Sequence, residues 1–490
     1  MVFNRKLILR IVFLLLFLES LAMIPSMICS LLHEEYACAR GMAITAGIGL
    51  LLGGWMTRRY RRVRVKLKLR ESYLVVFICW ATVITVGVFP YILSGEGYAL
   101  PDAIFESVAS WTTSSAWVLD INQLPAGLAL WIATSNWLGG MGVILLAVLL
   151  LAALGVSGQR LANAEVPGPK LAKSRPRMLD TAKETYAIYM TISLLILLLL
   201  VFSGMPFFDA LLNTMSSIST SGLMDYQGSV ASHFTPYVKT VVSLASILGS
   251  INFVVLLQLF RGRFRTVLRD IETRYFLCGI LIATVFLTVV LLLTDTYDNP
   301  IDAGVNAMLE TVSFSCTTGF VLHDITAWPN ICRVVLVIMM IIGGSSNSTA
   351  GGVKMIRFVV FLRLIRRGFY KRIHPRSMKP VMVGNTPVSA ENASSISTFL
   401  LLYLAIYLLS CLVLSLENLD METTLTAPIA LFSNTGVGFG TLTEGDYTIF
   451  SYGGRLYASL LMVTGRLEMY AILVLFSRSF WHADRGYARG

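Results

Sequence analysis

The sequence predicts an all-α polytopic membrane protein with four repeats around one pore and two leading transmembrane helices. Of the 490 residues, 56% are hydrophobic and only 14% are charged, and the mean hydropathy is +0.71. A water-soluble protein of this length could not cover so much apolar surface. Apolar runs of about 20 residues, enough to cross a bilayer as a helix, recur along the chain. A short hydroxyl-rich motif also recurs four times.

Ten apolar runs are long enough to be membrane spans. They are residues 8–32, 41–57, 72–94, 127–154, 185–204, 237–259, 275–294, 331–366, 396–416 and 455–477. The first two stand alone, and the other eight form four pairs that each bracket one copy of the motif. Because the motif is too short and too polar to cross the bilayer, we expect it to be a re-entrant loop. The first run is followed by further spans, so we expect a retained helix and not a signal peptide.

These pairs divide the chain into five units. We expect the leading helices and a basic loop in 1–70, and then repeats at 71–183 with filter loop 101–122, 184–274 with filter loop 206–228, 275–392 with filter loop 301–324, and 393–490 with filter loop 424–442.

The basic residues predict the orientation. All but five of the 39 Lys and Arg residues lie on one side when the basic loops and both termini are placed together. The exceptions are Arg40, Lys239, Arg333, Arg455 and Arg466. Since positive residues concentrate in cytoplasmic loops, we expect both termini in the cytoplasm and the motifs open to the outside. This pattern accounts for the net charge of +11 and gives no reason to expect nucleic-acid binding.

The repeated motif ends in small hydroxyl residues and then Gly, or Ser in the first copy. The copies are residues 106–115, 213–222, 310–319 and 427–436. A dehydrated cation needs oxygen dipoles in place of its water shell, and an extended backbone with small side chains supplies them. A half-helix before each segment would direct its partially negative end at the ion. Since four copies lie in register between spans, we expect one selectivity filter and not four ordinary helix-packing patches.

Two glutamates hold matching positions in the motif. Glu106 and Glu310 each lie nine residues before the last motif residue. We expect each to begin a half-helix, where the helix dipole favours a carboxylate, and to serve as a cap or anchor in preference to an ion ligand.

A run of small residues interrupts the apolar stretch 331–366. Residues 343–352 read Gly-Gly-Ser-Ser-Asn-Ser-Thr-Ala-Gly-Gly, which cannot sustain a firm helix. We expect an intramembrane gate loop beneath the filter. The alternative, an external turn, would place the basic residues that follow on the wrong side. A phosphate-binding loop is excluded by spacing, because Lys354 does not directly follow Gly and does not precede Ser or Thr.

Arg466 lies in the middle of the last span. An intramembrane arginine is costly unless it faces water or a partner. We therefore expect one of two roles: it repels cations in the pore until the gate moves, or it bonds carbonyl groups of the gate loop. Glu468 is two residues away and points elsewhere on a helix, so it is not the expected partner.

The remaining chemistry favours transport over catalysis. The seven cysteines and five histidines show no metal-ligand spacing, and the spans carry no paired Asp or Ser/His set. A membrane-embedded enzyme is therefore not expected. A proton- or sodium-coupled carrier is the second hypothesis, but it would need titratable groups near the midplane, and few acids lie inside the spans. A channel-like pathway is the leading hypothesis.

Four segments resemble the Trk/Ktr/HKT superfamily of potassium and sodium transport proteins. They are Asn136–Gly142, Ala164–Pro169, Ser345–Arg357 and Gly465–Glu468. The resemblance covers nearly the whole chain, and the two leading helices make it similar to the Trk-type bacterial subunit. It implies a multi-pass homodimer within the lipid of the bacterial inner membrane. It also implies a separate cytoplasmic nucleotide-binding regulatory subunit of NAD or ATP type, which fits the lack of a nucleotide-binding motif in this chain.

The resemblance also implies site residues. The filter would use Thr112, Thr113, Ser114 and Ser115, then Thr220, Ser221 and Gly222, then Thr317, Thr318 and Gly319, and finally Asn434, Thr435 and Gly436. The gate would comprise Gly343, Gly344, Ser345, Gly351, Gly352, Lys354 and Arg466. The transported ion would be K⁺, with no organic cofactor on this chain.

The first filter segment departs from the family at Ser115, where Gly is usual. In the plant relatives a Ser at this position accompanies sodium preference. A Ser side chain could narrow the ring or change its geometry and so weaken potassium binding. We therefore expect potassium uptake with appreciable sodium permeation. The alternative is a sodium-permeable or sodium-coupled cation transporter of the same fold.

Overall fold

A computed structural model describes residues 5–60, 69–142, 178–222, 235–323, 325–376, 380–384 and 386–481. The predicted linker motif at 164–169 and most of the basic loop at 58–70 fall outside these residues. The helices are α1 (Arg5–Ala22), α2 (Ile24–Leu32), α3 (Tyr36–Arg59), α4 (Leu69–Ile92), α5 (Leu100–Thr112), α6 (Ala126–Gly140), α7 (Met178–Phe202), α8 (Phe207–Ile218), α9 (Pro236–Ser250), α10 (Phe253–Phe260), α11 (Phe264–Arg269), α12 (Ile271–Leu293), α13 (Pro300–Ser315), α14 (Asn330–Ile342), α15 (Met355–Ile373), α16 (Ala390–Leu414), α17 (Met421–Phe432), α18 (Tyr452–Arg466), α19 (Glu468–Phe476) and α20 (Arg478–Trp481).

The helices form two leading segments and four repeats, which confirms the predicted fold class. Each repeat consists of a long first helix, a short half-helix and a second helix. The four sets are α4, α5 and α6; α7, α8 and α9; α12, α13 and α14; and α16, α17 and α18. The half-helices have 12 to 16 residues, too few to cross the hydrocarbon core. They are re-entrant, and each places its C-terminus inside the protein.

The leading helices pack closely on each other. Helices α1 and α2 together form one apolar span, Arg5–Leu32, which lies against α3. A Cβ atom added at Gly53 of α3 would lie 2.8 Å from the Phe13 carbonyl oxygen of α1. Small residues at such contacts let the backbones of membrane helices approach closely, which strengthens their van der Waals attraction.

The second helices of repeats 2, 3 and 4 are interrupted. The break at 343–352 in repeat 3 was predicted, whereas those in repeats 2 and 4 fall inside spans that were predicted to be continuous. Within the described residues, six helices are long and apolar enough to cross a membrane, or seven if one bent pair is counted as a span. That pair is α9 and α10, which meet at 110°. At the bend, the Asn252 side chain accepts a hydrogen bond from the Val254 amide and begins α10. Helix α14 ends at the predicted gate loop, and α18 ends at Arg466.

Three glycines of the second helices contact the ends of the half-helices. A Cβ atom added at Gly139 would overlap the Trp111 carbonyl oxygen. In the same way, a Cβ atom added at Gly249 would overlap the Ile218 carbonyl oxygen, and one added at Gly465 would overlap the Phe432 carbonyl oxygen. The three carbonyl groups occupy the same register, four residues before the last motif residue in repeats 1, 2 and 4. This contact brings each second helix directly beneath a half-helix terminus.

Ion pairs join successive repeats near the starts of the half-helices. Arg333 of α14 pairs with Glu422 of α17 at 2.7 Å, and Arg455 of α18 pairs with Asp102 of α5. Each arginine is the fourth residue of its second helix, and each acid lies in the first turn of the next half-helix. The second pair joins the last repeat to the first, so the ring of repeats is closed.

A small cluster around a two-stranded sheet completes the described fold. Strands β1 (Met382–Val383) and β2 (Thr386–Pro387) pair antiparallel after α15. Buried Val381 and Val383 pack there with Ile356 and Val360 of α15.

Candidate ion pathway

All four half-helices end with the same backbone geometry. One of the first two residues after the end has a left-handed φ in every repeat: 59° at Thr113, 58° at Thr220, 52° at Thr317 and 57° at Asn434. The next amide donates back to the carbonyl five residues earlier, with a nitrogen–oxygen distance of 2.9 Å in all four copies. This is a Schellman termination, in which a left-handed residue allows the final carbonyls of a helix to be capped.

Three of these left-handed residues are threonines, which rarely adopt such a φ. A β-branched residue in this region is strained, at a cost of order 1–3 kcal/mol. The same strain recurs in three repeats at one register position, so the surrounding structure must impose it. Strained backbone of this kind concentrates at functional sites, and here it turns each chain sharply from half-helix to filter segment.

The last residues of the four motifs meet at one point. A Cβ atom added at Gly222 would lie 2.5 Å from Ser115 Oγ, and one added at Gly319 would lie 2.8 Å from it. A Cβ atom added at Gly436 would lie 2.6 Å from Ser115 N. The structure thus brings together four positions that are spread over more than 300 residues of sequence, as one narrow filter requires.

The first segment differs from the others in backbone as well as side chain. Gly222, Gly319 and Gly436 have φ of 97°, 72° and 78°, which favour glycine. Ser115, which is described and half-buried, is not among the residues with positive φ. Its hydroxyl donates a hydrogen bond to the Thr318 carbonyl oxygen of the third segment. One of the carbonyl groups expected to face an ion is therefore occupied by a side chain.

The remaining predicted filter residues are buried close to this point. Thr112 is the last residue of α5, and its hydroxyl donates to the Val108 carbonyl of the same helix at 2.7 Å. Its side chain therefore belongs to the half-helix. In the second and fourth segments, the hydroxyl groups of Ser221 and Thr435 each lie close to a serine hydroxyl two residues earlier. Ser114 and Thr318 are also buried.

Glu106 and Glu310 brace the chain where it returns from the filter. Each accepts a hydrogen bond from the amide 12 residues later, Val118 at 3.2 Å and Leu322 at 3.0 Å. The expected anchoring role agrees with these contacts. The expected position was wrong, because both residues lie inside α5 and α13, which begin at Leu100 and Pro300. Proline at the first helical turns moved the start several residues upstream.

An outer cavity of about 850 Å³ leads to the filter. Ser114, Ser115, Ser221 and Gly319 lie at its base, and its wall includes Asp120, Glu444, Lys239 and His323. Burial, and then the positive charge of Lys239, lower the pKa of His323, so its imidazole is neutral at pH 7. The acids at the wall can raise the local cation concentration.

The predicted gate loop is a hairpin closed at its base by backbone hydrogen bonds. The amides of Val353, Lys354 and Met355 donate to carbonyl groups of residues 341, 342 and 344 at 2.9 to 3.0 Å. Gly343 and Gly352 face each other there, since a Cβ atom on Gly343 would lie 2.9 Å from Gly352 Cα. Both have positive φ, of 68° and 77°.

The loop is held by groups from the second and third repeats. The Ser345 and Thr349 amides donate to the Ser250 and Gly249 carbonyl groups at the end of α9, at 2.9 and 3.0 Å. On the filter side, the Gly351 amide donates to the Thr317 hydroxyl at 2.7 Å. The loop therefore touches a predicted filter residue directly.

Two cationic side chains bond the same loop. Lys354, left-handed at φ 79° and buried, donates from Nζ to the Ala350 carbonyl oxygen. Arg466 donates to the Thr349 carbonyl at 2.6 Å. A second nitrogen of Arg466 donates to Gly139 at 2.6 Å and Gly140 at 2.9 Å, at the end of α6. Of the two roles expected for Arg466, this geometry matches the carbonyl-bonding one.

The sequence did not indicate two contacts that shape this pathway. The Asn434 side chain donates to the Met462 carbonyl at 3.0 Å and so ties the fourth filter segment to α18. Trp117 follows the first segment, and its amide donates to the Gly445 carbonyl at 2.9 Å. Asn434 was predicted as a filter residue and Trp117 lies in the predicted filter loop, but the sequence gave no signal for the distant partners of either residue.

Comparison with known proteins fits this arrangement of repeats. The model of the TrkH family, described as a cation transport protein, matches residues 41–483. The chain belongs to the TrkH family of cation transport proteins. It is 31% identical to the Trk system potassium uptake protein TrkH of Salmonella typhimurium over 476 residues, covering 96% of this chain and 98% of that one. It is 29% identical to TrkG of Escherichia coli K12, with 96% and 97% covered.

A solved structure has the same fold. The crystal structure of the potassium transporter TrkH from Vibrio parahaemolyticus aligns with a TM-score of 0.87 and 26% sequence identity, covering 98% of this chain and all of that one. The chain is therefore an integral membrane transport protein and not an enzyme, as the sequence predicted.

Proposed function

We propose that this protein takes up K⁺ across the bacterial inner membrane through a channel-like pore. The observation that carries the proposal is the convergence of four equally terminated segments on Ser115, Gly222, Gly319 and Gly436. Backbone oxygens near this point can replace the water shell of an ion, and the half-helix termini add partial negative charge. The potassium uptake named for the relatives supports K⁺ as the ion.

The structure supports a closed state in which residues 343–352 block the pathway beneath the filter. The loop reaches the filter through Gly351 and Thr317, and it reaches the second and fourth repeats through Gly249 and Arg466. Conduction requires these hydrogen bonds to break together. Arg466 also places a positive charge beside the pathway, which opposes cation passage until the loop and the arginine move.

A second candidate function is sodium permeation through the same pathway. The specific observation is the hydrogen bond that the Ser115 hydroxyl donates to the Thr318 carbonyl oxygen. This hydrogen bond competes with an ion for that oxygen and makes the ring asymmetric. A smaller ring with one hydroxyl ligand suits a smaller cation better than four open carbonyl groups do.

The remaining assignments follow the family and the charge pattern. We propose a homodimer with both termini in the cytoplasm, regulated by a nucleotide-binding subunit of NAD or ATP type on the basic inner face. The relatives are named as parts of a Trk system, which fits a membrane subunit that works with regulatory components. The five units, from 1–70 to 393–490, are proposed as its functional divisions.

The test is cation flux in liposomes that contain the purified protein alone. Gradients of K⁺, Rb⁺, Na⁺ and Li⁺ are compared for the wild type, Arg466→Ala and a deletion within 343–352. We expect low flux in the wild type and higher flux in both variants, with K⁺ and Rb⁺ ahead of Na⁺. Flux that favours Na⁺ would support the second candidate. If all three proteins are correctly inserted and none shows flux, the proposed pore is wrong.

A further inference from the structure

A buried carboxylate at the inner end of the third repeat holds the gate loop from the side opposite the filter. Glu272 is the second residue of α12 and is 7% exposed. Its Oε1 accepts a hydrogen bond from the Ser346 amide, inside the loop, at 2.7 Å. The same oxygen accepts from the Ile356 amide, in the first turn of α15, at 3.3 Å. One oxygen atom therefore bridges the loop and the helix that follows it.

The chemistry of this position favours a carboxylate. Lys354 is the N-cap residue before α15 and provides no side-chain cap, so the first amides of α15 need an acceptor from elsewhere. Glu272 supplies one while also lying in the first turn of its own helix, so it is near the positive ends of two helix dipoles. Hydrogen bonds to an ionised acceptor are roughly twice as strong as neutral ones.

Glu272 is directly connected to the inner basic segment, residues 261–269, which carries Arg261, Arg263, Arg265 and Arg269. Helix α11 is exposed at Phe264 and Leu268 and is separated from α12 by Asp270 alone. The Asp270 side chain caps α12 through the Thr273 amide at 2.8 Å, which makes this junction firm. A displacement of α11 therefore shifts the start of α12, and with it the Glu272 carboxylate.

We infer that Glu272 is a positioning residue that latches the gate loop closed and transmits movement of the inner basic segment to the loop. The inference rests on the proposed gate function of residues 343–352. The Ser346 contact is the part that must break when the loop leaves the pathway. The Ile356 contact can persist, because α15 lies outside the loop.

Three variants of the full chain in liposomes test the latch. Glu272→Ala removes both hydrogen bonds, and we expect Rb⁺ flux without any partner to rise about tenfold. Glu272→Gln keeps an oxygen acceptor without the charge, and we expect a rise of about two- to threefold. Glu391→Ala is the matched control, because Glu391 is also the second residue of a first helix, α16, but is exposed. We expect wild-type flux from the control.

Hydrogen–deuterium exchange of the amides in 343–356 separates the latch from the gate. Faster exchange together with higher flux in Glu272→Ala supports the inference. Faster exchange with unchanged flux would show that Glu272 holds the loop but that the loop is not the gate, which overturns the proposed function. Unchanged exchange and unchanged flux in a variant that melts like the wild type would overturn the latch. Should Glu272→Ala fail to insert, Glu272→Gln decides by the same two measurements.

Discussion

The Ser115 hydroxyl donates a hydrogen bond to the Thr318 carbonyl oxygen, so the first filter segment contacts the third across the convergence point. The other three segments end in glycine and offer no side chain there. The first segment thus differs from the other three both in its backbone and in the hydroxyl group that it places at this point. Its effect on ion choice can be measured directly.

Replacing Ser115 with Gly removes this hydrogen bond and frees the Thr318 carbonyl oxygen for an ion. Since a hydrogen bond of this type is worth about 0.5–1.5 kcal/mol, we expect the K⁺/Na⁺ permeability ratio to rise about two- to tenfold. Reversal potentials under bi-ionic conditions provide the measurement. An unchanged K⁺/Na⁺ permeability ratio would show that Ser115 does not contribute to selectivity.

Replacing Thr317 with Val removes the acceptor of the Gly351 amide and leaves the shape of the side chain nearly unchanged. A buried donor without a partner costs about 1–3 kcal/mol, so we expect the closed loop to loosen and partner-free Rb⁺ flux to rise about tenfold. Thr220→Val is the control, because Thr220 has the same left-handed φ but its hydroxyl donates to the neighbouring Ser219 carbonyl. Equal flux from both variants would count against a filter–loop contact.

Replacing Gly465 with Ala places a methyl group on the Phe432 carbonyl oxygen at the end of α17. Overpacking of this kind costs about 1–3 kcal/mol, so we expect a lower melting temperature in detergent. Gly47→Ala is the control, since a Cβ atom there meets no atom within 4 Å. A melting temperature equally low in the control would show that the effect is not local to the α17–α18 contact.

The two ion pairs between repeats differ in exposure. The side chains of Arg455 and Asp102 are 13% and 16% exposed, and those of Arg333 and Glu422 are 20% and 40% exposed. We expect Asp102→Asn to destabilise the protein by about 1–3 kcal/mol, because the half-buried arginine loses its charged partner. Glu422→Gln should cost about 0.5 kcal/mol, as is usual for exposed pairs. Thermal melts of both variants test this order, and the reverse order would contradict it.

The four-segment filter was predictable because its signal is local. Hydroxyl residues followed by Gly or Ser lie in one register between apolar runs, and the structure places Ser115, Gly222, Gly319 and Gly436 together as that register implies. The loop at 343–352 was predictable because its small residues are consecutive in the sequence and interrupt an apolar run. Their roles in conduction and gating stay predictions, which the flux measurements test.

The long-range contacts could not be read from the sequence. Arg466 bonds Thr349 and also Gly139 and Gly140 of the first repeat, more than 300 residues away. Sequence spacing constrains only neighbours on one helix, so it left two roles open for this arginine. The breaks that end α9 and α18 were hidden because Ile251 and Leu467 each lie within a long, mainly apolar run. Hydropathy gives the length of an apolar run, but it does not show whether the helix axis changes direction within that run.

All four filter segments belong to one chain, and only the first carries a serine at the convergence point. In an assembly of four identical subunits, one substitution would alter every wall of the ring at once. Here a mutation changes a single wall and leaves three intact. In this architecture, ion preference can therefore change through substitutions in one filter segment at a time.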